Sequence, residues 1–302
     1  MRFFIFMFLS VMLFGLEPIV PLHKVPYNEE KALLGKELFF DVSLSRDNSV
    51  GCVSCHAIYN GGADARVVSV GYGGRKGNIQ SPTVLNAIFN FRQFWNGRAK
   101  DLYEQAQGPL LNPVEHNMTP ELVVLRVREN KEYIKKFVQL YRDGVTFENV
   151  IDAIVEFEKT LVTPSKFDAY LQGKTTLTKD EFKGYQLFKQ LGCISCHNGI
   201  NIGGNSFAKI GFFQNYHSKG KYPDRYAITK NPIDKNVYKV PTLRNIELTA
   251  PYFHNGGAKT LKEAIKAMGD CNLGVELSDE QLDLLEVFLK TLTGKLPKIA
   301  YE

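Results

Sequence analysis

The chain carries one five-residue signature twice, Cys52-Val53-Ser54-Cys55-His56 and Cys193-Ile194-Ser195-Cys196-His197. In C-x-x-C-H the two thiols are spaced to form thioethers with the vinyl groups of one c-type haem, and the histidine that follows takes an axial place on its iron. The fold must therefore supply two porphyrin-sized pockets, and the two signatures use four of the five cysteines. A zinc site of four cysteines would leave both histidines unexplained, and a dithiol redox pair would need a βαβ context that is not visible. The fifth cysteine, Cys271, reads as a small buried residue.

Arg2 followed by the apolar run Phe3 to Phe14 has the length of an export signal and is too short to span a bilayer comfortably. No A-x-A cleavage site follows, and Glu17-Pro18 stands where one is expected, so residues 1–17 are read as a signal peptide or an N-terminal membrane anchor. Covalent haem is assembled outside the bacterial inner membrane, so both signals point to the periplasm. The net charge is +5, with lysines dispersed and no long basic run, which argues against nucleic acid as a main partner.

The two halves match beyond the haem signatures. Gly35-Lys36-Glu37-Leu38-Phe39 corresponds to Gly184-Tyr185-Gln186-Leu187-Phe188, and Pro82-Thr83-Val84-Leu85-Asn86 to Pro241-Thr242-Leu243-Arg244-Asn245. Phe94-Trp95-Asn96-Gly97 matches Phe253-His254-Asn255-Gly256, and Phe157-Glu158-Lys159-Thr160-Leu161 matches Phe288-Leu289-Lys290-Thr291-Leu292. Matches kept in one order indicate internal duplication. The expected fold is mainly α, two cytochrome-c-like helical domains with one covalent haem each, residues 18–164 and 165–302. Thr163-Pro164-Ser165 marks the boundary. Thr178-x-x-Glu181 and Ser278-x-x-Gln281 read as capping boxes, and Thr119-Pro120 as a helix start. Phe147, Val150, Ile151, Ile154, Phe157 and Leu161 recur at helical spacing and should face a core.

Equivalent positions that differ divide the labour between the halves. Met268 stands seven residues after Leu261, whereas Pro109 stands at the matching distance from Leu102. Methionine opposite His197 raises a haem's reduction potential and suits an electron-transfer centre. The plainer reading of Met268, a core filler on the helix Leu261 to Met268, stays open. Proline binds no iron, so the first haem, on His56, is left with an open distal side near Gln105 and Glu115. An open iron facing a carboxylate suits peroxide cleavage, in which an acid/base group moves a proton from one peroxide oxygen to the other.

The chain resembles the bacterial dihaem cytochrome c peroxidase family, including its relative that matures methylamine dehydrogenase. The residues that carry the resemblance include Ser81 to Asn86, Gln93 to Arg98, Glu104-Gln105-Ala106, Pro113-Val114-Glu115, Val240 to Asn245 and Ala250 to Gly256, and with both haem signatures they cover nearly all of the chain after residue 28. The resemblance implies that Glu115 is the catalytic acid/base, Gln105 its hydrogen-bonding partner, and Trp95 the tryptophan between the haems. It also implies that Met268 ligates the electron-transfer iron, that His254 lies near a haem propionate, and that the carbonyls of Thr249 and Pro251 bind an interdomain calcium. Members usually form homodimers. Two departures stand out. Tyr72 replaces the loop histidine that closes the first iron in many relatives, which leaves an open iron, phenolate ligation by Tyr72, or another ligand such as His116. Gln80 replaces the usual calcium-binding asparagine, and its longer amide still offers an oxygen.

The expected function is periplasmic reduction of hydrogen peroxide to water, with electrons from a small cytochrome c or a copper protein entering at the His197/Met268 haem. Two rivals are a non-catalytic dihaem carrier or sensor and a long-range oxidase of a partner protein, although the relative of that last type has tyrosine where Met268 stands.

Overall fold

Two helix crossings organise the molecule, a computed structural model that describes residues 17–216, 220 and 222–301. In the first, α1 (Glu29–Phe40) crosses α5 (Phe147–Thr160), capped by Asn28 and Thr146. In the second, α7 (Lys179–Gln190) crosses α10 (Asp279–Lys290), and both expected capping boxes are present at Thr178 and Ser278. The backbones meet closely at Gly35, where a Cβ would lie 1.7 Å from the Ala153 carbonyl oxygen, and at Gly184, where it would lie 2.0 Å from that of Leu284. No side chain fits at either crossing.

The six residues expected on the core face of α5, from Phe147 to Leu161, are all buried. They centre one apolar cluster together with α1, α2 (Leu102–Leu111), α3 (Pro120–Glu129) and α4 (Lys131–Leu140). Thr119 caps α3 with Pro120 in its first turn, as its sequence indicates. A second cluster centres on α7, α9 (Leu261–Met268) and α10, with Phe167 of α6 (Lys166–Leu171) at its heart. The described residues are mainly helical. The short helix α8 (Tyr226–Thr229) and a small antiparallel sheet complete them; in the sheet β1 (Phe207–Lys209) pairs with β2 (Val237–Lys239) and Phe207 faces Lys239. Strands of three residues are too short for an alternation to be read from sequence.

The parallels between the halves extend to backbone detail. Asn86 and Asn245 both adopt positive φ, 59° and 58°, and their N–H groups donate to the carbonyls of Leu161 and Leu292. Phe94 and Phe253 also share positive φ, and the N–H groups of Gln93 and Tyr252 donate to the carbonyls of Ala99 and Ala258. The two asparagines converge on one residue: both side-chain amides donate to the Thr163 hydroxyl at 2.8 Å. Thr163 is fully buried, so its segment is pinned between the two asparagines. The chain ends cross over as well. Ile19 is buried in the second cluster and pairs with Gly199, while Ala300 belongs to the first and its carbonyl accepts from the Tyr59 hydroxyl.

The apolar run Phe3 to Phe14 lies outside the described residues. Among those described, no helix is long and apolar enough to cross a membrane.

Arg244, fully buried, donates to Asp168 at 2.9 Å, and the same carboxylate accepts from the main chain of Leu22 and from Ser165. Burial by itself would raise the Asp168 pKa, but the Arg244 charge and these hydrogen bonds bring it below the ordinary carboxylate value. A depressed folded pKa means that this stabilisation is complete above the unfolded value of 3.8 and is lost as pH falls through the folded value. The urea midpoint of the wild type should therefore fall below pH 3.8, and that of Asp168→Asn should start lower and fall less steeply. Equal acid slopes in the two proteins would remove this pair from the acid response.

Candidate functional site

The first signature forms a single turn, Cys52–Ser54, held at its start by the Ser54 hydroxyl, which accepts from the Gly51 N–H. It faces a cavity of about 600 Å³, counting the part open to solvent, into which α2 brings Gln105 and Pro109. The loop after α2 brings Glu115 and His116, and α5 brings Glu158. The sequence-derived set Cys52, Cys55, His56, Gln105 and Glu115 is thus gathered around one space, with Pro109 where the other half has methionine.

Asn112 ends α2 and shapes this loop. Its carbonyl accepts from the Glu115 and Asn117 N–H groups, its side-chain oxygen accepts from the Val114 N–H, and its amide donates to Glu115 Oε1 at 2.5 Å. Oε1 is held, and Oε2 has no hydrogen bond among the described residues. Burial raises the Glu115 pKa; the Asn112 hydrogen bond and the positive charge of Arg98 oppose it without cancelling it. Arg98 is itself held over the Phe94 ring at 3.3 Å.

The loop that carries Tyr72 lies against the Glu115 turn. The Tyr72 N–H donates to the Glu115 carbonyl at 2.7 Å, and the Arg75 guanidinium donates to the Pro113 carbonyl at 2.7 Å. Only glycine fits at position 71, because a Cβ there would lie 2.2 Å from the Val114 carbonyl oxygen. The Tyr72 ring is not part of the cavity wall and sits beside Arg75 at 4.9 Å. His116 is buried in the wall, with Nδ1 tied to the Leu44 carbonyl at 2.8 Å. Glu158 was not singled out by motif. It is buried, its Oε2 has no hydrogen bond, and burial pushes its pKa up to about 8. The signal was present in the sequence match of the two halves, where Leu289 occupies the equivalent place.

The second signature, a turn over Cys193–Ser195, faces a larger cavity of about 1820 Å³, counting the part open to solvent. Met268, the last residue of α9, lines it together with Cys193, Cys196 and His197. So do Trp95, His254, Gln80, Thr249 and Pro251, which brings the whole remaining candidate set to one cleft. Trp95 is fixed from both halves: its indole N–H donates to the Gln80 carbonyl and its own carbonyl accepts from the Lys239 N–H, both at 2.7 Å. The Gln80 N–H donates to the His254 carbonyl at 2.9 Å. His254 stacks on Tyr238 with centroids 4.3 Å apart and meets Trp95 edge-on at 6.3 Å. Burial lowers the His254 pKa to about 4 against the opposing charge of Asp224.

Both cavities suit the group that C-x-x-C-H attaches. His56 and His197 are half-buried, and each has a buried ring nitrogen, Nδ1, without a hydrogen-bond partner. Burial lowers both imidazole pKa values, that of His197 to about 4, against weaker opposition from nearby backbone groups, so the neutral ligating form prevails. Among the described residues, no cluster of histidine, cysteine, aspartate and glutamate offers a competing metal centre.

Comparison with known proteins agrees with this chemistry. The family model described as di-haem cytochrome c peroxidase matches residues 29–176. The cytochrome c551 peroxidase of Nitrosomonas europaea is 48% identical over 285 residues, covering 93% of this chain and 85% of that protein. Its namesake from Pseudomonas aeruginosa is 42% identical over 300 residues, covering 94% and 85%. Among solved structures, a MauG-like protein associated with microbial copper homeostasis superposes with a TM-score of 0.82 at 28% identity, covering 93% of this chain and 95% of that one. Such similarity along almost the whole length means that the chain belongs to the dihaem cytochrome c peroxidase family.

Proposed function

We propose that the protein is a periplasmic cytochrome c peroxidase that reduces hydrogen peroxide, H2O2 + 2e− + 2H+ → 2H2O, with electrons from a small cytochrome c or a copper protein. The observation that carries this reading is the placing of Glu115 and Gln105, with no methionine, in the cavity of the first haem signature. The names of the relatives point the same way. In this reading residues 1–17 are an export signal, cleaved or kept as an anchor. Residues 18–164 and 165–302 are two haem units that arose by duplication, as the paired asparagines, phenylalanines and glycine crossings suggest, and the active form is a homodimer.

Haems attached through Cys52 and Cys55 and through Cys193 and Cys196 would supply the redox chemistry. His56 and His197 would hold the two irons, and Met268 would also ligate the second. Glu115 accepts the peroxide proton at Oε2 and returns it to the departing oxygen, while Asn112 keeps Oε1 in place. Gln105 orients the peroxide from α2. Trp95, fixed to Gln80 and Lys239, lines the second cavity beside His254 and would couple the two haems, with His254 near a propionate. The Gln80 amide and the Thr249 and Pro251 carbonyls supply oxygens for calcium. The Tyr72 ring lies outside the cavity wall, which supports a first iron that would be open to peroxide.

The test is a stopped-flow record of half-reduced protein mixed with one equivalent of peroxide. Fast oxidation of the second haem is expected. An unchanged spectrum would mean a closed first iron and would favour a carrier or sensor.

A further inference from the structure

The two cavities differ in their ionisable lining. Glu115 and Glu158 face the first, and no lysine or arginine lines it. The second is lined by Lys209 and Lys239 and by no aspartate or glutamate. Lys239 stands out because it is only 6% exposed. Its main chain is fixed, paired across the sheet with Phe207 and donating its N–H to Trp95. Its side chain has no ion pair or hydrogen bond among the described residues, and burial alone, with no nearby carboxylate contributing, lowers its pKa to about 8. An ammonium on a largely buried side chain without an anion is unfavourable, so this position calls for a carboxylate or similar group that the chain itself does not provide.

We propose that Lys239 Nζ pairs with a carboxylate of the haem held by Cys193, Cys196 and His197, and that this pairing favours the reduced state of the second centre. The inference rests on the reading that this cavity holds a haem. A porphyrin carboxylate brings the missing anion, and the ammonium offsets negative charge next to an iron that gains an electron. The first cavity has no such cation, so the two centres differ by this pairing as well as by Met268. Because the Lys239 backbone also holds Trp95, one residue connects the second cofactor to the aromatic bridge between the halves.

The test is spectroelectrochemical titration of the holoprotein, with haem content measured separately. Lys239→Met keeps length and loses charge, and Lys239→Arg keeps charge. The expected result for Lys239→Met is two haems per chain, intact methionine ligation, and a second centre that is about tenfold harder to reduce, which is 59 mV for a one-electron couple. Lys239→Arg should stay within about threefold of wild type, and the first centre should move in neither variant. A Lys239→Met potential equal to wild type overturns the proposal, as does an equal shift in Lys239→Arg, which would indicate a packing effect. If the wild-type potential shifts with added inorganic phosphate and that of Lys239→Met does not, the anion is a free one and the haem pairing is wrong. A protein with a single haem would instead contradict the underlying reading.

Discussion

Glutamine at position 115 is expected to leave both haems attached and to lower peroxide-dependent oxidation of the donor by about 10²–10⁴-fold, the range for loss of a positioned acid/base group. The amide still accepts from Asn112, so the turn from Asn112 to Glu115 should persist. What is lost is a proton carrier at the second oxygen. Burial holds the Glu115 pKa above the ordinary carboxylate value, and a base works only when deprotonated. In the wild type the acid limb of kcat/KM should therefore lie above the usual carboxylate range, and in Glu115→Gln the remaining rate should be flat across that limb. Turnover near the wild-type level in Glu115→Gln would remove this residue from the mechanism. An acid limb at an ordinary carboxylate pH would show that the solvated loop, and not the cavity, sets its environment.

The largest expected effects on stability come from Gly35→Ala and Gly184→Ala. A methyl group at these sites would meet the Ala153 and Leu284 carbonyl oxygens at 1.7 and 2.0 Å. Those atoms are helix backbone and cannot rotate away, so relief requires the crossing itself to open. Each substitution should cost about 3 kcal/mol or more, at or beyond the usual range for overpacking, with Gly35→Ala acting on the first haem cavity and Gly184→Ala on the second. Gly73→Ala is the control. Its φ of +60° is unfavourable, but a Cβ there meets nothing within 4 Å, so only backbone strain of about 1–3 kcal/mol should be felt. The urea midpoints of the three variants decide the matter; crossing variants as stable as Gly73→Ala would mean that the helices repack freely.

The readable parts of the site were those with an internal comparison or a covalent spacing. Met268 against Pro109 became informative because the halves align, and the structure puts each in the cavity of its own signature. The same comparison contained Glu158 against Leu289. A lone glutamate on an amphipathic helix reads as solvated until its burial is known, and this one is buried. Tyr72 marks a similar limit. Its loop position was legible, whereas the direction of the ring depended on Gly71 lying against Val114 and on Arg75 reaching Pro113.

The haem signatures, the caps of α3, α7 and α10 and the core face of α5 were determined by sequence alone. Each rests on covalent spacing or on contacts within a turn or two, where the order of residues is itself the geometry. The convergence of Asn86 and Asn245 on Thr163, the exchange of chain ends between the two clusters, and the difference in ionisable lining between the two cavities were decided only by tertiary structure. Those features join residues far apart in the chain. Which charges are buried, and opposite which partners, depends on helices meeting at Gly35 and Gly184, and an electrostatic environment exists only once solvent has been excluded from around it.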